Sequence, residues 1–176
     1  PSSQAAKDLK LTATSISRAS RQLEEMGLLQ IKKAGVQKIL LSEDPPEVLF
    51  QKAEEKLLNP VKRTVYVPKE YIGADMLVSG YSALAEYSML SAPAVKCYAT
   101  DKISQWKNVM TNRLQDSKAQ VAVEMWRYDP RILATRHSVD ELSLALALKN
   151  DADERVEQAV EELLSEVWRK IDGYRN

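Results

Sequence analysis

Apolar residues recur at helical spacing near both ends of the chain, and they alternate with polar ones in two shorter stretches between. In the first region Ile16, Ala19/Ser20 and Leu23 fall on one side of a helix that opens at Thr12 or Thr14 and ends at Gly27. A shorter helix, Ser3–Leu9, precedes it across a tight turn and offers Ala5, Ala6 and Leu9 as packing partners. Hydroxyls of Ser2 or Ser3 and of Thr12 can accept from the orphan N–H groups at the two helix starts, and Gly27 suits a left-handed C′ position. An apolar-alternating hairpin follows, turning at Ala34-Gly35, where glycine supplies the positive φ that a tight turn requires.

Beyond the hairpin, Ser42–Pro46 closes the ribbon and Pro46 sits in the first turn of a helix, Glu47–Leu58, striped by Val48, Leu49, Ala53 and Leu57. Asn59-Pro60 stops it. Val61–Pro68 reads as a strand or extended arm, whose Lys62 and Arg63 suit either a nucleic-acid backbone or a solvated strand end. The remainder predicts a helix over Met76–Leu90, a strand over Val95–Thr100, and a helix over Lys102–Met110 capped by Asp101, with Ile103, Trp106 and Val109/Met110 on one side. A strand over Gln120–Tyr128 places Val121, Val123 and Met125 on one face and ends at Asp129-Pro130. Helices Val139–Leu148 and Asp153–Ile171 finish the chain. The expected class is α+β: a helix pair with its hairpin over residues 1–45, a connecting helix over 46–60, and a small mixed α/β domain with C-terminal helices over 61–176.

Charge changes this picture. The chain as a whole is neutral, yet residues 1–41 carry seven basic side chains against three acidic ones, a net of +4. On the outer side of the second helix stand Thr14, Ser15, Ser17, Arg18, Arg21 and Gln22, and the hairpin adds Lys32, Lys33 and Lys38. Arginine can engage guanine through a bidentate fork and glutamine can do the same for adenine, while hydroxyls and lysines suit phosphate oxygens. Thr14 and Ser15 also lie near the positive end of the helix dipole. An ordinary solvated polar face is the rival explanation of the same residues.

The run Leu11-Thr12-Ala13-Thr14-Ser15-Ile16-Ser17-Arg18, continued by Leu23-Glu24-Glu25-Met26-Gly27-Leu28-Leu29, resembles the recognition helix and wing entry of MarR-like bacterial winged-helix regulators. The resemblance implies a winged helix-turn-helix, with Ser15, Ser17 and Arg18 facing double-stranded DNA and a basic wing beside them. Such domains carry a further helix before the one that starts here, so the expectation is a domain without its first helix, in a fragment or a trimmed chain. A second, shorter likeness covers Leu77-Val78-Ser79-Gly80-Tyr81-Ser82-Ala83-Leu84-Ala85, which is similar to the helix opening the effector half of AbiEi-type antitoxins. That likeness implies a second domain answering a protein partner, a nucleotidyltransferase toxin. The sequence thus predicts a cytoplasmic, homodimeric, sequence-specific DNA-binding transcription regulator, with an antitoxin-like or adaptor protein acting through protein–protein interaction as the alternative.

Little points to catalysis, so no enzyme and no cofactor are expected. The lone Cys97 leaves no intramolecular disulfide and no multi-cysteine metal site. His137 is the sole histidine, with nothing in the sequence to place it beside Cys97. Neither a glycine-rich phosphate loop nor a G-x-S-x-G elbow occurs. The acids of the last helix lie opposite the stripe Val156, Ala159/Val160, Leu163/Leu164, Val167/Trp168 and Ile171, which makes them its wet face. Asp151 and Asp153 complement the dipole at its start rather than form a metal loop. Trp106, Trp126 and Trp168 each belong to a periodic apolar set and read as core. No apolar run reaches the ~20 residues that span a bilayer.

Overall fold

The computed structural model describes residues 1–134 and 136–173 and shows an α+β protein. Its chain divides into two compact units, Pro1–Leu57 and the residues from Leu58 onward. The expected connecting helix therefore belongs to the first unit.

In the first unit, α1 (Ser2–Asp8) begins one residue earlier than expected. Ser2 and Ser3 do not cap it. Both lie inside the helix, and the carbonyl of Pro1 receives the N–H groups of Gln4 and Ala5. Lys10, at φ 52°, turns the chain into α2 (Ala13–Glu25). Thr12 caps α2, its hydroxyl accepting from Ser15 N–H at 3.1 Å. Gly27, at φ 72°, ends it, with the N–H of Leu28 bonded to the carbonyl of Leu23 and that of Gly27 to the carbonyl of Glu24. Ile16 and Leu28 are buried, and the buried Ser20 hydroxyl is satisfied by the Ile16 carbonyl at 2.7 Å. Leu23 was expected on the packed side but is 37% exposed. With seven residues α1 is roughly 10 Å long, too short to cover the far end of α2.

Strands β1 (Gln30–Ala34) and β2 (Gln37–Leu41) pair antiparallel, with Lys33 opposite Lys38 and Ala34 opposite Gln37. The turn residues are Gly35 and Val36, one position later than predicted, because the positive φ of 59° is needed at the first central position of the loop. The Glu24 carboxylate accepts from Ile31 N–H at 2.8 Å and so ties α2 to the ribbon. Helix α3 spans Pro46–Glu54, short of the predicted Leu58, since Lys56 N–H tightens the last turn onto the Ala53 carbonyl. None of its residues is fully buried.

The second unit is built on a mixed sheet in the order β3-β6-β5-β4, from β3 (Val61–Pro68), β4 (Leu77–Val78), β5 (Cys97–Thr100) and β6 (Gln120–Trp126). Strand β6 runs antiparallel to β3 and parallel to β5. Val121 and Val123 pack with Val65, Val67, Ile103 and Trp106 on one face. Trp126 joins Leu77, Leu84, Val139 and Leu144 on the other, beneath α4 (Gly80–Tyr87), α5 (Glu141–Leu148) and α6 (Glu154–Gly173). The predicted stripe of α6 is kept: Val156, Ala159, Val160 and Leu163 are buried. Asp140 caps α5 through Ser143 N–H at 2.9 Å.

Two predicted helices and two predicted strands are shorter. Met76–Leu90 is not one helix, because Leu77 and Val78 pair with Ala99 and Tyr98 and the helix starts only at Gly80. Lys102–Met110 holds a single 3-10 turn, Ser104–Trp106, since Ile103 and Trp106 are drawn into the core beside Val109 and Met110. The strands predicted over Val95–Thr100 and Gln120–Tyr128 shrink to β5 and β6, where pairing ends.

Candidate nucleic-acid interface

Helix α2 carries its polar residues where the 3.6-residue period puts them. Thr14, Ser15, Arg18, Arg21 and Gln22 are all exposed. Ser15 has a second task, since its hydroxyl lies 2.9 Å from that of Thr12 in the cap. Neither Arg18 nor Arg21 is engaged by a carboxylate among the described residues, so both guanidinium groups keep their donors for water or a ligand. Ser17 is different. It is half-buried and, with Ile16 and Ser20, lines a groove of about 360 Å³ between the two helices and the ribbon. Its place is the inner shoulder of α2, not the outward face it was expected to share with Arg18.

The three ribbon lysines are exposed but divide between two faces. In the register, Ile31 stands opposite Leu40 and Lys33 opposite Lys38, all on one side by the two-residue alternation; Lys32 stands opposite Ile39 on the other. Lys38 lines the groove together with Ile31, Leu40 and Ser17. Two like charges directly opposite on an antiparallel pair repel, and no acid on the ribbon relieves them. The basic excess stops with the ribbon: residues 42–57 carry five acids and two bases.

The second unit holds a group that periodicity hides. Glu124 on β6 is only 9% exposed. Its Oε2 accepts from Ser79 Oγ at 2.5 Å and from the Trp126 indole N–H at 3.1 Å. Gly80, at φ 53°, is pressed against it: a Cβ there would meet Glu124 Oε1 at 3.1 Å and Cys97 Sγ at 3.2 Å. In an alternating strand a glutamate reads as the solvent side, whereas β6 is an inner strand covered on both faces. The readable signal was the run Gln120–Trp126, long and apolar enough for a central strand.

Burial and the neighbouring Glu124 push the Cys97 thiol well above its ordinary value, which leaves it a poor nucleophile. His137 pairs with Glu86 at 3.1 Å, and Cys97 contacts the Gly80–Glu124 corner instead. Tyr81 donates to Asp151 at 2.5 Å, and that hydrogen bond, followed by burial and the charges of Asp151 and Asp153, raises its hydroxyl to about 12. Trp106 and Trp126 are buried as core, with the Trp106 indole donating to the Tyr71 carbonyl at 3.2 Å. Among the described residues no three metal-ligating side chains cluster, and no helix is long and apolar enough to cross a membrane.

No protein-family model matches the chain, and neither a curated protein nor a solved structure is significantly similar to it.

Proposed function

We propose that the first unit is a winged helix-turn-helix of MarR-like kind, that it binds duplex DNA, and that the protein is a homodimeric cytoplasmic transcription regulator. The observation that supports this most is the exposed row Arg18, Arg21 and Gln22 on α2, without carboxylate partners among the described residues and preceded by the hydroxyls of Thr14 and Ser15. An α-helix fits the major groove, and a helix presenting arginine and glutamine matches the donor and acceptor edges of guanine and adenine. The uncompensated Lys33–Lys38 pair adds to this reading, because a phosphate between two ammonium groups relieves their repulsion. Ser17 and Lys38, lining one groove, serve the backbone rather than the bases.

The test is selection of a preferred duplex from random sequences, followed by titration across salt. Arg18→Ala is expected to lose about 1–3 kcal/mol on that duplex. Lys33→Ala is expected to weaken all duplexes alike and to reduce the salt slope by roughly 0.9. Retention of full affinity by both variants, or absence of salt-dependent binding to any duplex, overturns the proposal in favour of a protein-docking module.

A further inference from the structure

A cavity of about 350 Å³ opens in the second unit, above the Gly80–Glu124 corner. It has the size of a small-molecule site. Two carboxylates line it, Glu124 and Asp151, together with the rings of Tyr66 and Tyr81 and the apolar side chains of Leu114 and Leu148. Among the described residues no lysine or arginine lines it. The geometry points to a binding site for a small organic cation, an amidinium, guanidinium or primary ammonium group carried on an apolar body.

Three features carry the assignment. The Glu124 partners are a hydroxyl, an indole N–H and the Cys97 thiol, all neutral donors, so they orient the carboxylate without cancelling its charge. A cationic donor in the cavity supplies that missing charge through charge-assisted hydrogen bonds, which gain strength away from water. Asp151 is likewise fixed, accepting from Tyr81 on one oxygen and from Asp153 N–H on the other, so a second negative charge is held at the cavity wall by neutral donors. The lining also includes Tyr66 and Tyr81, aromatic groups of the kind that attract cations, and the aliphatic walls of Leu114 and Leu148 for its body. Glycine at position 80 leaves the floor open, because any Cβ there would crowd Glu124 Oε1 and Cys97 Sγ. This inference rests on the second unit alone and does not depend on DNA binding by the first.

The experiment titrates the full chain with benzamidine while recording amide resonances, with neutral benzamide as the matched control. Benzamidine is expected to bind saturably in the sub-millimolar to millimolar range, with shifts centred on Gly80, Tyr81, Cys97 and Ala122. Benzamide should bind at least about tenfold more weakly, and Glu124→Gln should cost benzamidine a similar factor. Should Glu124→Gln fail to fold, Leu114→Trp obstructs the cavity without touching Glu124, and its loss of benzamidine binding carries the same conclusion. Absence of shifts at roughly 10 mM benzamidine, equal binding of benzamide, or unchanged binding by whichever variant folds overturns the assignment and leaves Glu124 a buried structural carboxylate.

Discussion

The two units spend their apolar residues in opposite ways. Among the described residues the first unit buries two large hydrophobic side chains, Ile16 and Leu28, while Leu11, Leu23, Met26, Val36, Leu41, Val48 and Leu57 stay exposed. The second buries eighteen hydrophobic residues on the two faces of one sheet. A small unit has a large surface for its volume, and apolar and basic side chains share it here. What holds it is local: the Thr12 cap, the Gly27 turn, the Glu24 tether and the two-residue hairpin. The second unit is held by long-range packing, and its core admits a few buried polar groups, among them Ser79 and Glu124, which bond to each other. Exposed charge against buried charge is the contrast that separates a surface suited to a polyanion from a cavity suited to a small cation.

The contrast is most easily broken in the core. Leu84→Ala, at a fully buried site on the inner face of α4, is expected to destabilise the second unit by about 2–5 kcal/mol. Leu23→Ala on α2 is expected to change stability by about 0.5 kcal/mol. Urea unfolding of both variants checks this, and equal effects would erase the distinction between the units. The next largest effect separates two glycines with the same handedness. Gly35→Ala meets open space, so only its φ of 59° is strained, at about 1–2 kcal/mol. Gly80→Ala carries that strain and also crowds Glu124 Oε1 at 3.1 Å and Cys97 Sγ at 3.2 Å, so its midpoint should fall further.

Smaller and of opposite sign is Lys33→Glu, which replaces the repulsion across the ribbon with attraction to Lys38. It should stabilise the hairpin by a few tenths of a kcal/mol, visible as slower amide exchange in β1 and β2. Duplex affinity should fall at the same time, since the charge reversal removes a phosphate contact. Smallest is a pH effect at Tyr81. Its hydroxyl titrates near 12 in the folded chain against 10.0 when free, so the folded state favours the protonated form. That contribution is complete below pH 10.0 and is lost as pH rises towards about 12. A thermal melt series should show a steeper alkaline decline for the parent than for Tyr81→Phe.

What could be read from the sequence was what neighbours along the chain decide. Thr12 three residues before Ser15, Gly27 after Met26, and the Val156–Ile171 stripe each fix a local conformation, and each element formed within two or three residues of its expected bounds. The errors share another cause. Leu77 and Val78 looked helical until β5 claimed them, and Ile103 and Trp106, spaced as on a helix, are instead anchored in the core around a single 3-10 turn. Ser17 was misplaced because its angular position on α2 is intermediate, and only the ribbon decides which side is covered. Glu124 was missed because alternation assigns a polar strand residue to water, although the apolar run Gln120–Trp126 around it marks a strand covered on both faces.

Strand β3 opens with Val61, whose partner on β6 is Trp126. A ribosome therefore releases the first strand of the sheet long before its neighbour exists, whereas α1, α2 and the ribbon all lie within Pro1–Leu57. Synthesis proceeds at roughly 5–20 residues per second, so the helix pair and ribbon can be complete for several seconds while the sheet is still half-made. The nascent chain thus displays its basic helix before it owns a cavity.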